Sequence, residues 1–345
     1  MKIEFEPILS VCIPTYNGLP RVLDLIKSLL TSQAMNFEVV VNDDNSSDGT
    51  LAEIKAFFSN DIRLRFYKNQ VNLGMDENFT AAADMARGKY LWLCGQDDFI
   101  MHEGLDVVIQ TLVSNPDVDF IYLNHKAIDE KFSCQIKGSK ISNVHNVYGI
   151  GIDSFLNRSD GDLPTFLPKF LIRKTLWDRA DAKRYFGTYY CQVGVFLEAS
   201  NNIRWCHHAG NYVLGLLPSN GWQVDSSKYT NIILGYFIML SRFYNSHPSF
   251  NKKIIKDQYI SHLKELFYAF LLIKKYKIKI SKDMEIEFLN ALSNNGLSLM
   301  AKIWQFKLPR FFWLSVWTLV TFKKYLKRFF HALGFPKLWL WKLKS

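Results

Sequence analysis

Along the first 125 residues, short apolar runs alternate with stretches in which apolar positions recur every three or four residues. From Ile8 the chain reads ILSVCIP, a nearly continuous apolar run to Pro14 that fits a strand buried on both faces. After Asn17 and Gly18, Pro20 suits the first turn of a helix in which Val22, Leu25, Ile26 and Leu29 share one face. Apolar runs over 37–41 and 64–69 flank a helix over 51–58. An alanine-rich helix over 77–87 ends at Gly88, where a left-handed cap costs little. The strands YLWLC and DFIYLN, 90–94 and 119–124, complete the series. This alternation predicts an α/β fold with a doubly wound, mostly parallel sheet and helices on both faces.

In such sheets ligands bind at the carboxyl ends of the strands, and the polar clusters PTYN, NDDNSSDGT, NQVNLG and GQDD fall there. One cluster is an ordinary loop; four on one edge indicate a ligand site. No GxGxxG follows the first strand and no GxxxxGK[ST] occurs, which disfavours the usual dinucleotide and P-loop chemistries. The edge instead offers Asp43, Asp44 and Asp48 in one loop and Asp97 and Asp98 in another. Carboxylates that close repel, and a hard divalent cation, Mg2+ or Mn2+, relieves them while keeping positions for phosphate oxygens. The plainer alternative is that Asp97 and Asp98 cap a helix starting near Met101 and Asp48 closes an Asx-turn with Gly49.

Together SVCIPTYN, VVVNDDNSSDGT, NLGMDENF and YLWLCGQDDF resemble the nucleotide-sugar domain of inverting family 2 glycosyltransferases of GT-A fold, over about residues 8–125. Within the family they are most similar to the abequosyltransferase-like group, which adds sugars to surface polysaccharide repeat units such as O-antigen. The resemblance implies that Pro14 and Tyr16, with Asn17 beside them, bind the donor's base and ribose and that Asp44 accepts a hydrogen bond from the base. Asn72 and Asn78 fall in the segment contacting the nucleotide and its diphosphate. Asp98 corresponds to the metal ligand of the family's DxD motif, and Asp97 to a residue facing the ribose or, through water, the ion. Gln96 stands where many members have the first Asp, which would weaken ion binding. The family's base lies roughly 90 residues further on, in the stretch YFGTYYCQVGVFLEAS, where Gln192 takes its place. An amide cannot accept the proton, which leaves Asp162, Glu198, His207, His208 or no base at all. Each also has a plain role: a turn residue, a helix-surface charge, loop histidines.

Charge refines the picture. The chain of 345 residues carries +10, yet residues 1–301 sum to zero, and residues 302–345 hold ten Lys and Arg with no Asp or Glu. A basic pI taken as nucleic-acid affinity would misplace that charge, and the rings of this segment adjoin aliphatic residues instead of alternating with polar ones. Its longest apolar run, 311–322, falls short of the ~20 residues that span a bilayer. Flanking Lys and Arg and many Trp and Phe suit a helix lying on an anionic membrane surface. The expected organisation is a nucleotide-sugar half over 1–125, an acceptor-side half over 126–225, a helical region over 226–301 and the membrane segment over 302–345. Residues 1–7 lack a signal peptide's apolar core, so the protein is expected at the cytoplasmic face of the inner membrane. Five cysteines without a CxxC pair suggest buried thiols in a reducing compartment. The expected activity is metal-dependent sugar transfer from a nucleotide-sugar donor to a polyprenyl-diphosphate-linked oligosaccharide. The alternatives are a nucleotide-sugar or glycan-binding protein and, less favoured, a nucleotidyltransferase.

Overall fold

The computed structural model describes residues 6–101, 103–129, 135–138, 145–217 and 226–294. The basic segment 302–345 lies outside them. Two compact units divide the chain, one formed by Met1–Gly221 with Met239–Gln258, the other by Trp222–Ile238 with Tyr259–Ser345.

The first unit is built on an eight-stranded sheet. Its strands are β1 (Leu9–Thr15), β2 (Phe37–Asp43), β3 (Leu64–Lys68), β4 (Tyr90–Leu93), β6 (Phe120–Tyr122), β9 (Val147–Ile150), β10 (Phe170–Arg173) and β11 (Arg204–His207), in the order β3-β2-β1-β4-β10-β6-β11-β9. β1 is wholly buried between parallel β2 and β4, as its continuous apolar run requires. β10 runs antiparallel between β4 and β6, and β11 runs parallel to β6. Six strands therefore share one direction, and their last residues, Thr15, Asp43, Lys68, Leu93, Tyr122 and His207, line one edge. A smaller sheet joins β5 (Phe99–Ile100), β12 (Val213–Leu217), β7 (His125–Asp129) and β8 (Gln135–Gly138), in that order.

Helices α1 (Arg21–Leu30), α2 (Thr50–Phe58), α3 (Met75–Met85) and α4 (Gly104–Ser114) fill the predicted connections. Val22, Leu25, Ile26 and Leu29 form the buried face of α1. α3 begins two residues before the expected start and ends at an extended Ala86, not at a left-handed Gly88. Gly88 is needed for a different reason. A Cβ there would lie 2.6 Å from the Ser10 backbone nitrogen, so the glycine allows the chain to pass against β1. Beyond β9 come α5 (Gly151–Arg158), α6 (Lys174–Arg179) and α7 (Cys191–Ala199), followed after β12 by α8 (Ser226–Ser246), α9 (Lys252–Ser261), α10 (Leu263–Tyr276) and α11 (Lys282–Asn294). In the second unit Phe237 meets Tyr259 and Phe288 edge-on at 5.1 and 6.1 Å. Among the described residues no helix is long and apolar enough to cross a membrane. Cys12, Cys94, Cys191 and Cys206 are buried free thiols.

One charge is built into the sheet. Glu38, in the middle of β2, accepts hydrogen bonds from Ser10 Oγ on β1 at 2.6 Å, from the Arg87 backbone N–H at 2.6 Å and from Arg65 Nη1 on β3 at 3.0 Å. It ties three strands to the end of α3, and its buried carboxylate is fully partnered. Glu38→Ala would strand Arg65, Ser10 and a backbone N–H, so we expect a loss of about 3 kcal/mol. Urea unfolding measures it; a loss under about 1 kcal/mol would show that the network carries little stability.

Candidate active site

The carboxyl edge of β1, β2 and β4 is held by side chains that cross from loop to loop. Thr15 ends β1, and its carbonyl accepts the Asp44 N–H at 2.8 Å and Asn78 Nδ2 at 3.4 Å. Asp44 is buried; its Oδ1 accepts Asn69 Nδ2 and the Leu73 N–H, each at 2.8 Å, and its Oδ2 accepts the Gly74 N–H at 2.9 Å. Asp44, expected at the nucleotide base, thus shapes the 69–74 loop. Asn78 Oδ1 accepts from Asn42 and Asn69 at 2.7 and 3.2 Å, so buried Asn42, Asn78 and Asp44 and half-buried Asn69 form one network beneath the edge. Asn72 is exposed and accepts the Gly74 N–H at 3.1 Å.

Above this network stand the more exposed groups. Pro14 is buried in β1, whereas Tyr16 is 47% exposed, a ring available for stacking. Asn17 adopts a left-handed conformation and joins the first loop to the second: its N–H donates to Ser46 Oγ and its Oδ1 accepts the Ser47 N–H, both at 2.9 Å. Asp48 accepts the N–H of Thr50 at 2.9 Å and of Leu19 at 3.3 Å. It is a local brace at the start of α2, as the turn alternative anticipated.

Gln96 has a role that its place in the DxD-like motif does not suggest. Its Oε1 accepts Thr15 Oγ1 and the Tyr16 N–H, each at 2.8 Å, and its Nε2 donates to the Tyr16 carbonyl at 3.3 Å. An aspartate could not make that last bond, because it has no N–H. Gln96 clamps the turn after β1 instead of standing in for a carboxylate at the ion. Asp98 is 9% exposed and folds back to accept the Gly95 N–H at 2.7 Å. β5 occupies 99–100 and α4 starts only at Gly104, so neither Asp97 nor Asp98 caps a helix at Met101. Burial, with the Asp97 charge beside it, pushes the Asp98 carboxyl well above the usual range. A divalent cation would relieve that cost, and one or two carboxylates with phosphate oxygens suffice for Mg2+ or Mn2+. Among the described residues no group of three His, Cys, Asp or Glu side chains could hold an ion unaided. The donor set therefore fits an ion whose remaining ligands come with a phosphorylated substrate.

The proposed base positions are dispersed. Gln192, buried in the first turn of α7, donates Nε2 to the Thr165 carbonyl at 3.3 Å, and its Oε1 has no partner. Glu198 lies six residues, about 9 Å, further along the helix. It accepts Arg184 Nη1 at 2.9 Å, Tyr185 Oη at 2.7 Å and the Asp181 N–H at 3.1 Å, which makes it a structural ion-pair partner. Asp162 is exposed. His207 is the last residue of β11 and His208 follows it outside the strand; both are buried, and burial lowers both pKa values, that of His207 to about 4.

Asp76 was not singled out from the sequence. In the first turn of α3, where a carboxylate looks like an ordinary helix-dipole partner, it is buried and accepts the Tyr189 N–H at 2.8 Å and the Cys191 N–H at 3.3 Å. It brings the start of α7, and with it Gln192, to the edge where α3 begins.

A mostly parallel sheet with acidic strand-end loops and an exposed ring beside them is the setting in which α/β proteins bind ligands. Residues 10–162 match the family model "Glycosyl transferase family 2", and the strand-end motifs that carry the resemblance lie inside that match. The chain is similar to abequosyltransferase RfbV of Salmonella typhimurium, with 29% identity over 56% of this chain and 61% of that one. It is also similar to the GalNAc(5)-diNAcBac-PP-undecaprenol beta-1,3-glucosyltransferase of Campylobacter jejuni, 24% identical over 86% of this chain and 97% of that one. With several curated relatives the match spans less than two thirds of their length, 61% and 38% in two cases. Staphylococcus aureus TarS 1–349, solved with UDP-GlcNAc, superposes with a TM-score of 0.60 at 19% identity, covering 83% of this chain and 80% of that one. The fold is GT-A.

Because the folded Asp98 carboxyl binds its proton more tightly than the unfolded one, near pKa 3.9, the metal-free protein loses stability as pH rises from about 4 through the raised folded value. Asp98→Asn keeps an acceptor for Gly95 and removes the charge. We expect it to melt about 2 to 4 °C higher than wild type in EDTA at pH 7 by differential scanning fluorimetry. A lower melting temperature would contradict the electrostatic assignment.

Proposed function

We propose that the protein transfers a sugar, with inversion, from a nucleotide-sugar donor to a lipid-linked saccharide acceptor during surface polysaccharide assembly. The observation that carries this reading is the convergence of Tyr16, the Gln96-clamped turn and Asp97–Asp98 on one edge of a family 2 domain. Support for the donor comes from TarS, solved with UDP-GlcNAc and UDP, and for the acceptor from the Campylobacter relative, whose name specifies an undecaprenol-diphosphate substrate.

In this mechanism Tyr16 stacks on the base, and the loop braced by Asp44 and Asn78 seats the nucleotide. Asp98, with Asp97, would hold Mg2+ or Mn2+; such an ion supplies positive charge to the departing diphosphate. An acceptor hydroxyl forms the new bond to the anomeric carbon from the face opposite the diphosphate as the old carbon–oxygen bond breaks. Its proton leaves to a carboxylate or solvent, because Gln192 cannot take it. The Gln192 Oε1, buried and unpartnered, can accept a hydrogen bond from that hydroxyl and orient it. The amide also favours a second reading, donor binding without transfer. Nucleotide release that rises when acceptor lipid extract is added supports transfer; release indifferent to acceptor supports binding alone.

Asp98→Ala should lower sugar transfer by at least about 100-fold in a radiolabelled-donor assay, and unchanged transfer would remove the metal role. We further propose that residues 302–345 hold the enzyme peripherally at the cytoplasmic face of the inner membrane, through anionic lipid. Truncation after Ala301 should move the protein from the membrane to the soluble fraction, and an unchanged distribution on fractionation would refute that anchor.

A further inference from the structure

Two strands beyond β4, about 10 Å along the sheet, the same edge carries a second set of charged groups that the proposed donor site does not use. Lys169 closes the turn that leads into β10 and is only 6% exposed, with no carboxylate partner among the described residues. Its ammonium lies 4.0 Å from the centroid of the Tyr122 ring. That ring offers a cation–π contact but no charge, because burial raises the phenol's pKa and keeps it neutral. The His207 ring packs against Tyr122 at 5.3 Å, and Phe155 of α5 meets Tyr122 edge-on at the same distance. Arg158 follows Phe155 by three residues, on the same face of α5, and its Nε is buried without a partner. Asp162, whose charge acts on Lys169, is exposed.

His207 is also incomplete. Asn124 Nδ2 donates to the carbonyls of His208 and Ala209 at 3.1 and 3.2 Å, so its Oδ1 faces His207 Nε2 at 2.9 Å and fixes the proton there. Nδ1 is left buried with no partner. Buried cations are ordinarily paired, and buried polar atoms bonded. Here an ammonium and an imidazole face one ring and a guanidinium acts on the imidazole; among the described residues the ammonium has no ion-pair partner, and Arg158 Nε and His207 Nδ1 have no hydrogen-bond partner.

We propose that Lys169, Arg158 and His207, gathered round Tyr122, form a binding subsite for an oxyanion of the phosphate class. A phosphate brings negative charge and acceptor atoms for the ammonium and the guanidinium, and in its monoprotonated form an O–H that can donate to His207 Nδ1. If the transferase reading holds, the anion is a phosphate carried by the acceptor; the subsite itself does not depend on that reading. Binding is coupled to protons. Burial holds Lys169 down to about 8, and burial with the Lys169, Arg158 and His208 charges holds His207 at about 4. A bound anion favours the charged form of Lys169, so a proton enters with it at pH 8, where His207 stays neutral.

The test is calorimetric titration of the full chain with inorganic pyrophosphate in EDTA at pH 8, in two buffers of different ionisation enthalpy. Saturable binding with net proton uptake is expected, at least about tenfold weaker in Lys169→Met and largely restored in Lys169→Arg. Lys169→Met removes an unpartnered buried charge, so its melting temperature should equal or exceed that of wild type, which separates lost binding from lost folding. The titration contains no nucleotide sugar, acceptor sugar or divalent ion, so failure of the sugar-transfer reading and failure of the subsite give different results. Farnesyl diphosphate binding tighter than pyrophosphate would identify a lipid-borne phosphate; equal affinity would identify a free one. No binding, equal affinity in Lys169→Met, no proton uptake, or a preference for methyl glucuronide over phosphate would each overturn the proposal.

Discussion

The site depends on one buried carboxylate that joins the strand-end loops of the first half of the sheet to the start of α7. Asp76 begins α3, directly after the loop that Asp44 shapes, and takes the backbone N–H groups of Tyr189 and Cys191, over a hundred residues away. Tyr189 is held in a left-handed conformation that costs a non-glycine residue about 1 kcal/mol. The two N–H bonds offset part of that cost and part of the burial that raises the Asp76 pKa. Through this contact a chain of bonded groups runs from Thr15 through Asp44, Gly74 and Asp76 to Gln192 and Thr165. The strand-end loops of β1 and β2 and the start of α7 are thereby tied into one geometry.

Electrostatics divide the edge in two. At β4 the Asp97–Asp98 pair is short of positive charge, and at β6 and β11 the Lys169 cluster is short of negative charge. Both defects cost folding stability, as unmet charge in a low-dielectric setting does, and the proposed cation and phosphate ligands would relieve them. The +10 of the whole chain is a separate matter, since it resides in residues 302–345.

Much of the first unit was legible because its strands are continuous apolar runs and its helices carry a clear period. β1, β2, β4 and α1 fall within a residue or two of their expected limits. β10 was not legible. FLIR is four residues long, too short for a period, and nothing local to it says that it enters between β4 and β6 in reverse. The acidic loops were recognisable by composition, whereas the work of individual groups was not. Gln96 looked like a weakened carboxylate and is a clamp; Gly88 looked like a cap and is a close approach; Asp76 looked like a dipole partner and is a long-range tether. In each case the deciding partner lies far along the chain, where spacing carries no information.

The central claim is that the carboxyl edge of β1, β2 and β4 holds a nucleoside-diphosphate sugar together with a divalent cation. Calorimetric titration of the full chain with UDP-, GDP-, CDP- and dTDP-sugars, each in Mn2+ and in EDTA, tests it most directly. The account predicts that one nucleotide class binds saturably in Mn2+ and at least about tenfold more weakly in EDTA. Binding of no nucleotide sugar, or binding of equal strength with and without the ion, would contradict it.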